Sequence, residues 1–262
     1  MNYNMENIQL NSSERLDDLL TENLKIIQSD EVFSFSLDAV LLGRFSYVPL
    51  SAKGRIVDLC TGNGVIPLLL TTRTKASIVG VEIQDRLADM AERNVRINKL
   101  EQQVRIVHGD LRNADKELGY GAFDVVTVNP PYLPVPNGEQ NINEHFAAAR
   151  HEVHCTLEDV VRASSRLVRN GGRVAMVHRP SRLVEIFCTM REYKLEPKRI
   201  RYVHPRAGEE ANMVLIEAIR DGKPELRTLP PLIVYKNKTE YCDELLEIYY
   251  GQRTELIQPP VL

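Results

Sequence analysis

The sequence predicts an α/β protein with a doubly wound, mostly parallel sheet of seven strands. Three observations predict this fold. Short apolar segments alternate with amphipathic segments of helix length from residue 55 to residue 220. The strand segments are apolar along nearly their whole length, as in strands covered on both faces. A glycine-containing turn, Gly62-Asn63-Gly64, follows the first of these strands, and sheets of this kind bind ligands at such a turn.

The individual elements are predicted from local pattern. Runs of aliphatic residues between turn residues predict strands at 56–59, 78–83, 104–107, 123–128, 173–177, 200–203 and 213–218. Apolar residues three or four apart predict helices at 37–45, 65–72, 86–98, 157–168 and 181–192. We expect Gly171 and Gly172 to end the fourth of these helices.

Two further segments flank the sheet domain, which is placed at residues 51–220. Residues 1–50 are predicted to form an extension with a hairpin of strands 24–28 and 31–35 around Ser29-Asp30, followed by the first helix. Residues 221–262 are predicted to form an appendage, because prolines interrupt the alternating pattern there. A short strand at 233–235 and a helix at 240–250 are expected within it.

Composition is that of an ordinary globular protein. Hydrophobic residues make up 43% and charged residues 26% of the 262 positions. We find no apolar run of about 18 residues and no apolar core of a signal peptide near the N-terminus. The 4 cysteines are widely spaced and form no CxxC pair, which favours reduced thiols. We therefore expect a cytoplasmic protein of unspecified oligomeric state.

Charge is unevenly distributed along the chain. The formal net charge is −3, yet Arg162 to Arg206 contains twelve Lys or Arg residues and three Asp or Glu residues. Such asymmetry fits an anionic partner on one side of the molecule. A solvated, charged helix face explains it equally well, so composition alone leaves both interpretations open.

The turn after the first sheet strand is a candidate cofactor loop. Gly62 and Gly64 allow close approach of a ligand, and Glu82, at the end of the next strand, is placed to accept hydrogen bonds from ribose hydroxyls. A dinucleotide would fit these features too. However, Pro67 replaces the third glycine of a dinucleotide fingerprint, and Asp58 would repel a pyrophosphate. Both features favour the cationic amino-acid end of S-adenosylmethionine.

Three further segments have more than one interpretation. Asp110, after the third strand, could accept from an adenine amino group or cap a helix. His151-Glu152-Val153-His154 is one residue short of a zinc-protease motif, so we assign no metal. Residues 134–149 form a long polar loop, which we interpret as a lid ordered by substrate rather than a merely mobile segment.

The most specific motif is Asn129-Pro130-Pro131-Tyr132, which ends the fourth strand and is called here the catalytic turn. Prolines hold this backbone extended, so the Pro130 carbonyl and the Asn129 side-chain oxygen can both accept from one NH₂ group. Two acceptors free the nitrogen lone pair to attack a sulfonium methyl group in line. Tyr132 offers a ring for stacking of an extruded base.

Asp58, the glycines of the loop, Glu82, Asp110 and the catalytic turn together resemble the class I amino-methyltransferases. Within them, the chain resembles the bacterial tRNA1(Val) adenine-N6 methyltransferases, which modify the adenine just 3′ of the anticodon. The resemblance includes the segment from Phe35 to Leu42, which closes over the cofactor in that family, and the segments 149–152 and 204–212.

The resemblance implies a set of site residues. The catalytic residues would be Asn129, Pro130, Pro131 and Tyr132. S-adenosylmethionine would contact Ser36, Asp38, Asp58, Thr61, Gly62, Asn63, Gly64, Glu82, Ile83, Asp110, Leu111 and Asn129, with Asp58 near its amino group. Candidates for contact with RNA phosphates are Arg179, Arg182, Lys198, Arg199, Arg201 and Arg206.

Other substrates remain open from the sequence. The same two acceptors fit the NH₂ group of a protein glutamine, but enzymes of that kind resemble a form with a separate helical N-terminal domain. Methylation of ribosomal RNA or DNA is also compatible, although no DNA-recognition domain is visible. A module that binds RNA without catalysis is a further alternative, which the intact Asn129 and the intact cofactor loop disfavour.

Overall fold

The computed structural model describes residues 10–19, 23–32, 37–132, 155–238 and 240–250. Its strands are β1 (Glu14–Asp18), β2 (Lys25–Ser29), β3 (Arg55–Leu59), β4 (Ser77–Glu82), β5 (Val104–His108), β6 (Phe123–Val128), β7 (Val168–His178), β8 (Leu195–His204), β9 (Met213–Arg220), β10 (Arg227–Thr228) and β11 (Leu232–Ile233). Strands β1 and β2 form a separate antiparallel hairpin. The other nine strands form one sheet.

The helices are α1 (Leu37–Phe45), α2 (Val65–Thr71), α3 (Asp85–Ile97), α4 (Ala114–Leu118), α5 (Leu157–Leu167), α6 (Leu183–Glu192) and α7 (Asp243–Tyr250). Single 3₁₀ turns at Leu111–Asn113 and Pro180–Arg182 precede α4 and α6. A reciprocal pair of hydrogen bonds between Thr156 and Asp159 caps the start of α5. None of the helices among the described residues is long and apolar enough to cross a membrane.

The strand order of the sheet is β10-β8-β9-β7-β6-β3-β4-β5, and β11 also pairs with β8. Strands β3 to β7 run parallel to one another, while β9 is antiparallel to its two neighbours, β7 and β8. The predicted doubly wound sheet of seven strands is therefore confirmed. The two short strands of the appendage extend this sheet at β8. The strand predicted at 233–235 corresponds to β11, which spans Leu232–Ile233, whereas β10 was not predicted.

The core consists of two apolar layers, one on each face of the sheet. Ile56 of β3 belongs to the layer that contains residues of α1, α2 and α7, while its neighbour Val57 belongs to the layer with residues of α4, α5 and α6. Both residues are fully buried. This alternation explains why the strands are apolar on both sides, since each face is covered by helices.

The N-terminal hairpin differs from its prediction. The strand expected at 24–28 is present as β2, but it pairs with β1, and Glu31 and Val32 lie in a turn. Residues 33–35 lie outside the described residues. Strand β1 was not predicted because its sequence is mostly polar. It is fixed by an ion pair of Glu14 with Arg93 of α3, in which two N–O distances are 2.7 Å.

The pair Gly171-Gly172 does not end a helix, as had been expected. Helix α5 ends at Leu167, and β7 starts at the next residue. The register against β6 shifts between Phe123 and Val125, which makes a bulge that contains both glycines. A Cβ atom at Gly172 would lie 2.7 Å from Val168 Cγ2 and 2.9 Å from the Asp124 carbonyl oxygen. Close backbone approach at a bulge therefore explains this glycine.

Candidate active site

The site lies between β3 and β6, where the order in which the chain adds strands to the sheet reverses. From β3 the chain continues to β4 on one side, while β6 pairs with β3 on the other. The cofactor loop follows β3 and the catalytic turn follows β6, so both leave the same edge of the sheet. Ligands of doubly wound proteins bind in the crevice at such a switch point.

The cofactor loop has a left-handed backbone at three positions. The φ angles are 56° at Cys60, 57° at Gly62 and 86° at Gly64. Gly64 packs against α3, because a Cβ atom there would lie 3.2 Å from the Ala91 Cβ. At Gly62 a Cβ atom would meet nothing within 4 Å. The loop therefore needs glycine at residue 64 for packing, whereas the backbone at residue 62 borders open space.

Asp58 lies beneath the loop and is fully buried. Its two carboxylate oxygens accept hydrogen bonds from the hydroxyl groups of Thr61 and Thr127, each at 2.6 Å. Burial raises the pKa of Asp58 to about 7, against the effect of these two hydrogen bonds. Both oxygens thus have protein partners, and the contact of Asp58 with a cofactor amino group stays a prediction. Asp58 joins the ends of β3 and β6 through the two threonines.

Glu82 holds the apex of the same loop. Its carboxylate accepts from the backbone N–H of Gly62 at 2.8 Å and from that of Gln84 at 3.0 Å. Burial raises the pKa of Glu82 above its usual range. The neighbouring Ile83 carbonyl lies 3.1 Å from the ring of His108. Glu82 thus places a carboxylate beside the open space at Gly62.

Asp110 caps the 3₁₀ turn that precedes α4. Its side chain accepts from the backbone N–H of Arg112 at 2.9 Å and forms an ion pair with the guanidinium group of the same residue at 2.5 Å. Leu111, next to it, is buried. The structure thus shows the cap, and contact of Asp110 with an adenine amino group stays a prediction.

Asn63 is directed away from the crevice. It is 3% exposed, and its side-chain nitrogen donates to the Ile27 carbonyl oxygen of β2 at 3.0 Å. The side chain of this predicted cofactor residue therefore connects the loop to the N-terminal hairpin.

In the catalytic turn, the hydroxyl group of Tyr132 has two neighbours. Its oxygen lies 2.6 Å from Asn129 Oδ1 and 2.5 Å from Asp38 Oδ2 of α1. One hydroxyl hydrogen can be donated to only one of these oxygens at a time. Burial, and next the Asp38 carboxylate, raise the pKa of Tyr132 well above its usual range, so the hydroxyl keeps its proton.

The end of β7 supports Tyr132 from the other side. The His178 ring lies 5.1 Å from the Tyr132 ring at a tilt of 58°, and the Arg179 guanidinium lies 5.5 Å from the Tyr132 ring centre. Arg182 donates to the Tyr132 carbonyl oxygen at 3.4 Å. Burial lowers the pKa of His178 to about 4, so the ring is neutral near pH 7. Its Nδ1 accepts from the Arg179 N–H, which places the ring hydrogen on Nε2.

Two of the predicted RNA-binding arginines are used inside the protein. Arg199 is 6% exposed, donates to the Phe45 carbonyl oxygen at 2.7 Å and forms an ion pair with Glu217 at 3.0 Å. Its contact with RNA stays a prediction that this burial disfavours, because strand alternation turns the residue toward α1. Arg201 is largely buried and forms an ion pair with Glu244 of α7 at 2.6 Å.

The other four basic candidates are in three places. Arg179 and Arg182 lie beside Tyr132, at the catalytic turn. Lys198 donates to the Lys223 carbonyl oxygen at 3.0 Å, and Arg206 forms an ion pair with Glu209 at 3.1 Å. Only the first pair is therefore brought together with the catalytic turn.

Several predicted features lie outside the described residues, namely Ser36, the loop 134–149 and the segment His151–His154. In the part of the chain that the structure describes, no group of three His, Cys, Asp or Glu residues could hold a metal ion.

Three buried polar residues of this region were not predicted. Thr127 is a polar position in the apolar strand β6, His178 ends β7, and Asn94 lies on the buried face of α3. Each is a polar residue within an apolar pattern. That mismatch is the signal that could have identified them, since buried polar groups need partners.

The fold and the arrangement of the site define a class I methyltransferase. The family model described as Methyltransferase small domain matches residues 23–191, more than half of the chain. The chain belongs to this family.

Curated relatives of similar sequence are methyltransferases, and solved structures of lower identity share the fold. A tRNA1(Val) (adenine(37)-N6)-methyltransferase of Aeromonas salmonicida is 29% identical over 68% of this chain and 73% of its own. One of Bacteroides fragilis is 28% identical over 81% of this chain and 89% of its own. A predicted O-methyltransferase from Agrobacterium tumefaciens has a TM-score of 0.64 at 23% identity, with 81% of this chain and 95% of the other covered. A geranyl diphosphate C-methyltransferase from Streptomyces coelicolor has a TM-score of 0.52 at 17% identity, over 70% of this chain and 76% of the other.

Proposed function

We propose that this methyltransferase transfers a methyl group from S-adenosylmethionine to N6 of an adenine in tRNA, namely the adenine 3′ of the anticodon of a valine tRNA. The observation that carries the proposal is the pair of acceptors on Asn129 and Pro130 at the switch point of the sheet. The names of the curated relatives support the substrate. A tRNA substrate would also place the protein in the cytoplasm.

The cofactor loop is compatible with S-adenosylmethionine. The backbone at Gly62 borders open space, in which a Cβ atom would meet nothing within 4 Å. Glu82 is fixed beside it through the Gly62 N–H, where a carboxylate can accept hydrogen bonds from ribose hydroxyls. When bound, S-adenosylmethionine supplies an electrophilic methyl group on a sulfonium, and the thioether that leaves needs no proton.

The catalytic turn would prepare the target amine for attack. Among the described residues, none donates a hydrogen bond to the Pro130 carbonyl oxygen. If the Tyr132 hydroxyl donates to Asp38, Asn129 Oδ1 is also left as an acceptor. The two oxygens can then accept both hydrogens of one NH₂ group, which orients its nitrogen lone pair toward the methyl group. Positioning of the reactants accounts for most of the rate in such a reaction.

The test is methyl transfer from labelled S-adenosylmethionine to bulk tRNA that lacks the modification, followed by nucleoside analysis. We expect N6-methyladenosine in the tRNA. The matched control is the Asn129→Ala variant, which should transfer label at least about a hundredfold more slowly. Cofactor binding without transfer to tRNA would contradict the proposed substrate, and label on ribosomal RNA, DNA or a protein glutamine would identify the substrate instead.

A protein that binds RNA without catalysis would behave differently. It would bind tRNA in a salt-dependent manner, while neither wild-type protein nor Asn129→Ala would transfer a methyl group to any RNA. The same assay therefore separates this alternative from the proposed enzyme.

A further inference from the structure

In the described part of the chain, the outer edge of strand β2 is closed by asparagine side chains. Strand β1 pairs with the other edge. Asn98 Oδ1 accepts from the Lys25 N–H at 2.9 Å, and Asn98 Nδ2 donates to the Lys25 carbonyl oxygen at 2.7 Å. Two residues further along the strand, Asn94 Oδ1 accepts from the Ile27 N–H at 2.6 Å. Asn63 Nδ2 donates to the Ile27 carbonyl oxygen at 3.0 Å.

The two asparagines of α3 are one helical turn apart, yet only Asn94 reaches the cofactor loop. Asn94 Nδ2 donates to the main-chain carbonyl oxygen of Asn63 at 2.9 Å. The corresponding second bond of Asn98 goes to the Asn94 carbonyl oxygen at 2.7 Å, within the same helix. Asn94 is fully buried, so its amide depends on these protein partners.

Other contacts hold the hairpin on α3 independently of Asn94. Glu14 of β1 forms an ion pair with Arg93 through both oxygens, and this hydrogen-bonded partner lowers the pKa of Glu14 to about 2. Ile27 packs against Leu87 and Met90 in a small apolar cluster. Loss of one bond of Asn94 would therefore leave the hairpin docked. The separate contribution of Asn94 is to orient the peptide group between residues 63 and 64.

We propose that Asn94 is a positioning residue for the cofactor loop, which it ties to strand β2 through the Asn63 carbonyl oxygen. This inference rests on the proposed function, since it assigns a role in binding of S-adenosylmethionine. Asn63 lies between Gly62 and Gly64, which both have positive φ. Glycine backbones rotate easily, so a fixed carbonyl at residue 63 restricts the loop on both sides. The N-terminal hairpin and the cofactor loop then form one unit.

The test uses matched isosteric changes. Asn94→Asp keeps an oxygen for the Ile27 N–H but places a carboxylate oxygen where the donor to Asn63 was. Asn98→Asp makes the same change one turn later, where the contacts are with β2 and α3 only. We expect the dissociation constant for S-adenosyl-L-homocysteine, measured by calorimetry on the full chain, to rise about five- to tenfold in Asn94→Asp. In Asn98→Asp it should stay within about twofold, although both variants unfold at lower temperature.

A second measurement keeps the inference separate from the proposed function. Amide hydrogen exchange of the peptide containing residues 61–64 should be faster in Asn94→Asp and unchanged in Asn98→Asp, without ligand. If wild-type protein binds no S-adenosyl-L-homocysteine, the proposed function fails, and the exchange result still decides the inference. Equal dissociation constants or equal exchange in the two variants would overturn the positioning role. Asn94→Ser removes the same donor without adding charge and replaces Asn94→Asp if that variant does not fold.

Discussion

The Tyr132 hydroxyl oxygen lies 2.5 Å from the Asp38 carboxylate, so the catalytic turn is joined to the first turn of α1. The same hydroxyl lies 2.6 Å from Asn129 Oδ1. Asp38 can accept the hydroxyl hydrogen of Tyr132, which leaves Asn129 Oδ1 to accept a hydrogen bond from the target amine. This would be a second role for Asp38 besides its expected contact with the cofactor.

Removal of this hydroxyl should lower turnover. In Tyr132→Phe, we expect kcat to fall about tenfold, because the hydrogen bond to Asp38 that holds the catalytic turn against α1 is lost, while cofactor affinity is unchanged. In a double-mutant cycle with Asp38→Asn, the second change should add little to Tyr132→Phe, because both act through one hydrogen bond. Steady-state kinetics with tRNA would measure this. If the decreases in kcat of the two single variants multiply in the double variant, the two residues act independently.

Asn129→Ala should lower kcat by about 10²- to 10³-fold, the usual effect of removing one group that stabilises a transition state. Asn129 is only partly buried, so the fold should remain intact. Single-turnover kinetics and calorimetry with S-adenosyl-L-homocysteine would separate catalysis from binding. Loss of cofactor affinity together with turnover would instead indicate a structural role for Asn129.

The two glycines of the cofactor loop should respond differently to alanine. Gly62→Ala should weaken cofactor binding, because the new methyl group enters the open space beside Glu82, and the left-handed backbone should reduce stability by about 1 kcal/mol. Gly64→Ala adds a close contact with Ala91 and should destabilise the protein more strongly. Urea unfolding and cofactor titration on both variants would test this. A larger loss of stability in Gly62→Ala than in Gly64→Ala would contradict it.

Asp58 should make stability depend on pH. Its pKa is raised from 3.8 to about 7 in the folded protein. Between these values the unfolded state binds fewer protons than the folded state, so the free energy of unfolding falls as pH rises. The Asp58→Asn variant has no carboxyl group to titrate at this position. Its free energy of unfolding should therefore not show this decrease, which is on the order of a few kcal/mol.

The stability difference between wild type and Asp58→Asn, measured by urea unfolding at pH 4 and pH 8, should therefore shift in favour of the variant at pH 8. A difference that is constant with pH would show that Asp58 titrates normally in the folded protein.

One pair of variants can distinguish a buried structural arginine, Arg199, from Arg179, which lies beside the catalytic turn and is a candidate for contact with RNA. Arg199→Met leaves Glu217 without one of its buried partners and should destabilise the protein by about 3–5 kcal/mol. It should leave the tRNA affinity of the folded protein unchanged. Arg179→Met should change stability by less than about 0.5 kcal/mol and reduce the salt dependence of tRNA binding by about one ion.

Filter binding at several salt concentrations and thermal unfolding would measure both effects. Weaker tRNA binding by folded Arg199→Met, with no change in Arg179→Met, would reverse the assignment.

The fold could be predicted from sequence because its main signals are local. The strand 123–128 and the helix 37–45 have the predicted bounds, since apolar runs and helical spacing set both. The pairing of β2 with the polar strand β1 could not be predicted, because it depends on the distant Arg93. The burial of Arg199 likewise depends on which face of β8 packs against α1. The sequence around Arg199 contains several basic residues and does not show which of them point to that face.

The motifs of the candidate site were recognisable from residue type and strand position, whereas side-chain direction was not. Asp58 ends β3 just before the predicted loop and Asn63 lies in it, but their side chains also bond to Thr127 of β6 and to Ile27 of β2. A motif locates the backbone of a site. The hydrogen-bond partners that determine which atoms face a ligand come from elements far away in the chain.

Strands β10 and β11 are only two residues long, yet they pair with the side of β8 that does not face β9. An uncovered strand edge offers a row of free N–H and C=O groups to other chains, which promotes edge-to-edge aggregation. The appendage thus shields the sheet against unwanted self-association. A protein truncated after residue 220 would leave the edge of β8 unpaired at residues 199–200 and 203–204 and would lose the core side chains of β11 and α7, so we expect it to aggregate.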